Sequence, residues 1–162
     1  MLEIVTMGNE ILKRHSALAP EFDNGMKYLI KEMFDAMYAG KGIGLAAVQV
    51  GKLYRIFITH VSGDKQRVFI NPDIIETSVE QDKNEEGCLS VPGINADIIR
   101  SEEVTIQAWS NNGKPFSLDA GGLLGRVIQH ELDHLNGILF VDRLSQKKKE
   151  RLIKLYERQN GE

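Results

Sequence analysis

The sequence has very little of several features that would place the chain in a special class of proteins. It contains one cysteine, Cys88, which excludes an intrachain disulfide and fits a reducing compartment. No apolar run approaches the roughly 20 residues that cross a bilayer, so no membrane association is expected. Residues 1–5 lack a basic flank followed by an apolar run, and we therefore predict no signal peptide and a cytoplasmic location.

An excess of basic residues is also absent. The chain carries 20 Lys and Arg against 23 Asp and Glu, a formal net charge of -3. This balance gives no electrostatic reason to expect binding to DNA or other nucleic acid as the main task. With 162 residues, of which 42% are apolar, residues 1–162 are expected to form a single domain with its own core.

The most informative feature that is present is the pattern H-E-x-x-H, formed by His130, Glu131 and His134. On a helix the two histidines lie one turn apart, so both rings can reach one metal ion. Glu131 flanks them and can handle protons without binding the metal. Apolar residues precede the pattern at helical spacing, Gly137 follows it as a helix end does, and Asp119 is predicted to cap the helix.

Two histidines do not make a secure catalytic metal site, so a third protein ligand is needed. The extended pattern H-E-x-x-H-x-x-G-x-x-H would supply a histidine at position 140, where the chain has Phe140. Glu150 and Glu157 remain candidates further along the chain. Cys88 is a better candidate because a thiolate is a soft donor that metal binding deprotonates.

A glycine-containing segment, residues 42–47, matches the dinucleotide-binding pattern G-x-G-x-x-A. Such a fingerprint should follow a strand and open a helix. Here the segment follows an amphipathic helix predicted for residues 25–39 and leads into what reads as a strand. We therefore expect these glycines to place backbone close to a ligand of another kind.

The remaining elements predict an α+β fold rather than repeated βαβ units. We expect one compact domain of mostly antiparallel or mixed sheets packed around the metal-binding helix, with a further helix at the C-terminal end. The first helix is predicted to be capped by Asp23 or Asn24. The other predicted elements are strands at 54–60, 68–70 (ended by Asn71-Pro72), 74–79, 104–109 and 115–118, a polar connection at 80–86, and a last helix at 145–159.

Three short segments, taken together, carry a resemblance to a known family. They are GIGLAAVQ at 42–49, EGCLS at 86–90 and QHELDH at 129–134. In this order they resemble the three signature motifs of peptide deformylases, and the likeness extends over nearly the whole chain. One such motif would be modest support, whereas three in the right order are highly specific.

The resemblance implies a metal-dependent hydrolase that removes formate from the N-terminal formylmethionine of newly made polypeptides. Cys88, His130 and His134 would hold one divalent metal, with water as the fourth ligand. Fe²⁺ is the metal expected in the cell, and Zn²⁺, Ni²⁺ and Co²⁺ also suit these donors. Glu131 would transfer protons, while the side chain of Gln49 and the backbone N–H of Leu89 would stabilise the oxyanion.

The resemblance also implies how a substrate would be held. The peptide would lie as an added strand against Ile43, Gly44 and Gly87, and its methionine side chain would enter an apolar slot. Glu86 would lie beside the catalytic metal and would need a cationic partner, for which Arg100 is our candidate. Leu124, Arg126 and Val127 are expected around the methionine slot.

Two departures from the family pattern leave finer properties open. Val48 stands where most bacterial members have proline, and residues 94–96 replace a stretch that often carries a basic residue. The second change leaves the preference for substrate length undecided. By family analogy, the last helix with Lys147, Lys148 and Lys149 is expected to contact the ribosome.

Three other functional classes compete with this interpretation. A metallopeptidase that cleaves ordinary amide bonds is disfavoured by Phe140 and by the segment around Cys88. A binding module with a closed structural metal site would leave Glu131 and Gln49 without a role. A deformylase-like protein without activity is harder to dismiss, although every chemical group is in place.

Overall fold

The computed structural model describes residues 1–160 and confirms the predicted order of a helix, a set of strands and two more helices. None of the helices in this range combines the length and hydropathy of a membrane span. The helices are α1 (Asn24–Ala39), α2 (Gly122–Leu135) and α3 (Gln146–Gln159). The strands are β1 (Gly44–Ala46), β2 (Ile56–Thr59), β3 (Arg67–Thr77), β4 (Gln81–Gly87), β5 (Asn95–Ser101), β6 (Glu103–Trp109) and β7 (Pro115–Gly121).

The strands form two antiparallel sheets, which confirms the predicted α+β class. The larger sheet has the order β1-β2-β3-β6-β7, and the smaller one is the β4-β5 hairpin. Helix α2 contacts β1, β2 and β7 of the larger sheet and β5 of the smaller one. The helix that carries the two histidines thus contacts both sheets, and within residues 1–160 the strands β1 and β4 each pair along one edge only.

Buried apolar side chains hold α2 against the larger sheet. Ile128 and Leu135 belong to the same buried cluster as Phe57 and Phe69, and all four are fully buried. The two phenylalanine rings stack with their centroids 4.6 Å apart. Burial of one such side chain contributes about 1.5–3 kcal/mol to stability, so this packing fixes the position of α2 and of the side chains on its other faces.

The first helix and the last helix are capped as their sequences suggest. The side chain of Asp23 accepts a hydrogen bond from the Met26 N–H at 2.9 Å, which confirms it as the N-cap of α1. Ser145 plays the same role for α3 by accepting from the Lys148 N–H.

The prediction that Asn71-Pro72 ends a strand is wrong. Strand β3 continues through this pair to Thr77, and its register with β6 shifts between Ile70 and Asp73. Asn71 has a positive φ of 50° and its side chain bonds to the backbone of Ala19 at 2.8 and 3.2 Å. The pair is thus accommodated in a β-bulge, which bends the strand without ending it.

Two further local predictions are corrected by the structure. Residues 80–86 are not a connection, because β4 pairs along its whole length with β5. Most side chains of β4 are exposed, so the strand lacks the apolar alternation that reveals a half-buried strand. Asp119 does not cap α2: the N-cap is Gly121, and Asp119 accepts a hydrogen bond from the Thr105 hydroxyl at 2.7 Å.

Candidate active site

Cys88 and the two histidines of α2 meet in space. Cys88 directly follows the end of β4, and its Sγ lies 3.3 Å from Nε2 of His134. One ligand atom from each of Cys88, His130 and His134 lies within 4.8 Å of the other two. Tetrahedral coordination at about 2.0–2.3 Å places neighbouring ligand atoms roughly 3.3–3.8 Å apart, so the three residues fit one metal ion.

Glu86 orients the first of these histidines. Its Oε1 lies 2.9 Å from Nδ1 of His130, which leaves Nε2 of that ring available to bind a metal ion. The same carboxylate accepts two hydrogen bonds from Arg100, at 2.6 and 3.0 Å, and one from Arg126, at 2.6 Å. This arrangement confirms Arg100 as the partner of Glu86, and it is how a carboxylate selects the tautomer of a metal-binding histidine.

The charge on Glu86 is maintained by these contacts. Burial by itself raises the pKa of the carboxyl, but hydrogen bonds from His130 and Arg100 outweigh burial and lower the pKa to about 2. Glu86 is therefore an anion at neutral pH, although only 5% of its side chain is exposed.

Glu131 lies beside the two histidines, in an environment that differs from that of Glu86. Its Oε1 is buried and has no hydrogen-bond partner among residues 1–160, and its Oε2 lies 4.0 Å from Nε2 of His130. Burial, which outweighs the nearby positive charges, raises the pKa of Glu131 to about 7. A carboxyl with such a pKa can both accept and return a proton near neutral pH. Burial also lowers the pKa of His134, which favours the neutral ring that a metal ion binds.

A cavity of about 480 Å³ opens in front of this group, between the ends of β1 and β4 and one face of α2. His134 is fully buried behind the wall of the cavity. The residues predicted for the site that line the cavity are Ile43, Gly44, Gln49, Gly87, Cys88, Leu89, Arg126, Val127, His130 and Glu131.

Leu124 is the one predicted substrate-binding residue that the structure places elsewhere. It packs against the apolar cluster of the larger sheet, while Leu123 lines the cavity and is 51% exposed. The helical period explains why Leu123 lines the cavity and Leu124 does not. Residues 123, 127, 130 and 131 are spaced so that they lie on one face of α2. Arg126 also lines the cavity, but its guanidinium group turns away to Glu86 and Asp82.

Gly44 allows β1 to approach α2 closely. A Cβ atom at this position would lie 2.6 Å from Oε2 of Glu131 and 2.8 Å from Cγ1 of Val127. The glycine is therefore required by close packing of backbone against the protein's own side chains.

Gln49 lies in a short 3-10 helix, Ala47–Val50, rather than in the expected strand. Its Oε1 accepts a hydrogen bond from the Ala46 N–H at 2.9 Å, and its Nε2 donates to the Ser90 hydroxyl at 3.0 Å. The amide nitrogen thereby lies 3.6 Å from Sγ of Cys88. Ser90 is assigned no role in the sequence analysis. Its position in the EGCLS segment, two residues after Cys88, is the feature from which a role in the site could have been predicted.

Asp133 is a second residue whose role the sequence reasoning missed. Its carboxylate accepts one hydrogen bond from Arg100, at 3.0 Å, and two from Arg143, at 3.0 and 2.6 Å. Its role could have been predicted from its position three residues after His130, which places both residues on one face of the helix. Arg100 therefore lies between two carboxylates, one of which contacts His130.

Comparison with known proteins decides the family. The family model for polypeptide deformylase matches residues 1–150, which is most of the chain. The chain belongs to the polypeptide deformylase family. It is 47% identical to the peptide deformylase of Chromobacterium violaceum, in an alignment covering 99% of this chain and 98% of that protein. It is also 49% identical to the peptide deformylase of Azotobacter vinelandii, over 85% of this chain and 83% of that one.

Solved structures of deformylases have the same fold. A peptide deformylase from Legionella pneumophila is 37% identical, with a TM-score of 0.94 and coverage of 99% of this chain and 95% of that one. A peptide deformylase from Synechococcus elongatus in complex with actinonin is 36% identical, with a TM-score of 0.91 and coverage of 95% and 86%. As a deformylase, the chain is a metal-dependent hydrolase that removes the N-formyl group from nascent peptides.

Proposed function

We propose that Cys88, His130 and His134 hold the single divalent metal of this deformylase, and that the metal in the cell is Fe²⁺. The observation that carries this proposal is the 3.3 Å approach of Sγ of Cys88 to Nε2 of His134, with His130 in the same group. One thiolate and two imidazoles also suit Zn²⁺, Ni²⁺ and Co²⁺. When bound, the metal supplies Lewis acidity that lowers the pKa of water from about 15.7 to about 7.

Glu131 is the group that moves protons in this proposal. It takes a proton from the attacking water and delivers it to the amine that leaves the formyl carbon. A pKa of about 7 suits both steps, because the carboxyl can hold or release a proton near neutral pH. Gly44 packs closely against both Glu131 and Val127, which helps to exclude bulk water from the carboxyl group.

Gln49 and Leu89 stabilise the negative charge that develops on the formyl oxygen. The hydrogen bonds of Gln49 to Ala46 and Ser90 hold its amide group in place before the substrate arrives. A fixed donor of this kind typically contributes on the order of 3 kcal/mol to lowering the barrier. The backbone N–H of Leu89, next to Cys88 in the cavity wall, is the second donor.

The formylated peptide binds between the free edges of β1 and β4. Ile43 and Gly44 offer one line of backbone groups and Gly87 offers the other, so the peptide adds as an extended strand. Its methionine side chain lies against Val127 and the stem of Arg126. Leu123 replaces Leu124 in this part of the site.

A substrate comparison tests the activity. We expect formyl-Met-Ala-Ser to release formate, whereas the acetylated and unblocked peptides are left intact. The matched variants are Glu131→Gln, which loses roughly 100-fold or more in rate, and Glu102→Gln on the exposed surface, which keeps full rate. Faster cleavage of internal peptide bonds than of the formyl group would favour a metallopeptidase instead.

Metal analysis of protein purified without oxygen tests the ligand set. We expect one iron per chain, lost in Cys88→Ala while the secondary structure is retained. A closed structural site would require a fourth protein ligand, and the group found among residues 1–160 offers three. Fe²⁺ held by a thiolate should also make activity sensitive to peroxide, whereas the Zn²⁺ form should resist it.

Contact with the ribosome through α3 is a separate part of the proposal. Lys147 and Lys148 are exposed and unpaired within the described residues, whereas Lys149 pairs with Asp142 at 2.7 Å. Since Tyr156 of this helix is buried in the core, charge substitution is a better test than deletion. Weaker ribosome co-sedimentation of K147E/K148E supports the contact, and unchanged binding rejects it.

Two broader proposals complete the function. Residues 1–162 act as one catalytic domain, which predicts that unfolding of the metal-free protein followed by circular dichroism and by tryptophan fluorescence gives coincident transitions. The enzyme works in the cytoplasm, and fractionation of cells that produce it should recover the deformylase activity there.

A further inference from the structure

A second cavity, larger than the catalytic one, lies between α1 and the larger sheet. Its volume is about 710 Å³, and it shares no lining residue with the catalytic cavity. Its walls come from one face of α1, from the turn between β2 and β3 with the start of β3, and from the hairpin between β6 and β7. We call it the α1 groove.

The α1 groove concentrates positive charge in a chain whose net charge is negative. Its lining includes five cationic residues and a single carboxylate, Asp35. Lys31 pairs with Asp35 at 3.3 Å, and Arg67 pairs with Asp64, next to the groove, at 2.7 Å. The amines of the other three cations have no hydrogen bond or ion pair within residues 1–160; they are Lys27, Lys65 and Lys114.

Three separate elements supply these three exposed lysines: α1, the turn before β3 and the hairpin before β7. They therefore converge on the groove from different sides instead of forming a solvated run on one helix. Like charges brought together without partners repel one another, and a ligand with several negative charges relieves that repulsion. The groove thus has charge complementarity to an extended anion.

The floor and rim of the groove add planar apolar surface. Phe34 and Phe116 contribute to the lining, and the Tyr38 ring at the rim is 44% exposed. The Tyr38 hydroxyl is held by Nδ1 of His60 at 2.7 Å and Nε2 of Gln66 at 2.8 Å, so its ring is positioned before any ligand binds. Lysines beside a fixed aromatic ring match the way in which single-stranded nucleic acid is bound, by phosphate contacts and base stacking.

We propose that the α1 groove binds a segment of single-stranded RNA. The phosphates contact Lys27, Lys65 and Lys114, and a base stacks on Tyr38. RNA is favoured over DNA because Ser110, Asn111 and Ser117 in the same lining offer hydrogen-bonding groups for 2′-hydroxyls. This site is independent of the catalytic cavity and of the lysines on α3.

Fluorescence anisotropy with the metal-loaded enzyme tests the proposal. The probe is a labelled RNA of roughly 12 nucleotides without self-complementarity. We expect its affinity to fall roughly 20-fold between about 50 and 200 mM salt, as three contacts to single-stranded phosphates predict. The variant K27Q/K65Q/K114Q should bind at least about tenfold more weakly, and Tyr38→Leu at least about fivefold more weakly.

The control variant K13Q/K52Q/K83Q removes the same charge from exposed positions outside the groove and should keep RNA affinity within about twofold. Both triple variants should release formate at the rate of the unsubstituted enzyme, which separates this test from the proposed catalysis. Equal weakening by the two triples, equal binding of DNA of the same sequence, equal binding of poly-glutamate, or absence of RNA binding at low salt would each overturn the proposal.

Discussion

Arg100 and Glu86 are joined by two parallel hydrogen bonds, from Nε to Oε2 at 2.6 Å and from Nη2 to Oε1 at 3.0 Å. The side chains are 4% and 5% exposed, so the pair is almost completely removed from water. The two residues lie on adjacent strands but are not direct cross-strand partners, because Glu86 on β4 is opposite Ala96 and Arg100 on β5 is opposite Asp82. The ion pair connects the smaller sheet to α2 through His130 and Asp133.

Replacing Arg100 with methionine should destabilise the fold strongly. Glu86 and Asp133 would each lose a buried partner, and breaking a buried ion pair in this way typically costs about 3–5 kcal/mol. Urea unfolding of the metal-loaded enzyme would measure the loss. Lys13→Met, which breaks an exposed pair with Glu10, should cost less than about 1 kcal/mol; similar losses in both variants would contradict the expectation.

Replacing Glu86 with glutamine should weaken metal binding and also lower the free energy of unfolding, because Arg100 and Arg126 would lose a buried anionic partner. Glutamine can still accept from Nδ1 of His130, but it lacks the charge that strengthens this bond. Loss of such a partner typically lowers metal affinity about 10–100-fold, which competition with a chelator would reveal. Glu85→Gln, at the neighbouring exposed position, is the matched control and should leave the affinity unchanged.

Replacing Gly44 with alanine should impair catalysis without unfolding the protein. The added Cβ would push against Glu131 and Val127, and a displacement of about 1 Å at a catalytic group can cost on the order of 100-fold in rate. Gly25→Ala is the control, since its Cβ would meet nothing closer than 3.4 Å. Formate release and circular dichroism would be compared, and full activity of the Gly44 variant would show that Glu131 has room to move.

Replacing Gln49 with alanine should lower kcat/KM on the order of 100- to 1,000-fold and leave metal content unchanged. Ser90→Ala should have a smaller effect, because Gln49 keeps its bond from the Ala46 N–H. Steady-state kinetics with a formylated peptide would separate the two variants. A larger loss in the Ser90 variant would indicate that the hydroxyl itself acts on the substrate.

The difference between what could and could not be predicted is clear at β4 and at Leu123. The polar sequence of β4 predicts a connection, but the segment forms a strand because it pairs with β5 and does not need an apolar face. Leu123 and Leu124 are equally apolar in sequence, and the packing of α2 decides which of them lines the cavity. Asp119 is a reasonable cap by residue type, but Thr105 on the neighbouring strand binds it instead.

The sequence alone determined the features that depend on neighbours along the chain. These are the spacing of His130 and His134 on one helix, the start of α1 at Asp23 or Asn24 and, through three motifs in order, the family. The tertiary structure decided which groups meet across long separations. Arg100 lies between the carboxylates of Glu86 and Asp133 and donates hydrogen bonds to both. The sulfur of Cys88 contacts the ring of His134, which is 46 positions away in the sequence. Such contacts follow from how two sheets pack on one helix, because a buried charge or ligand needs a partner that only folding brings near.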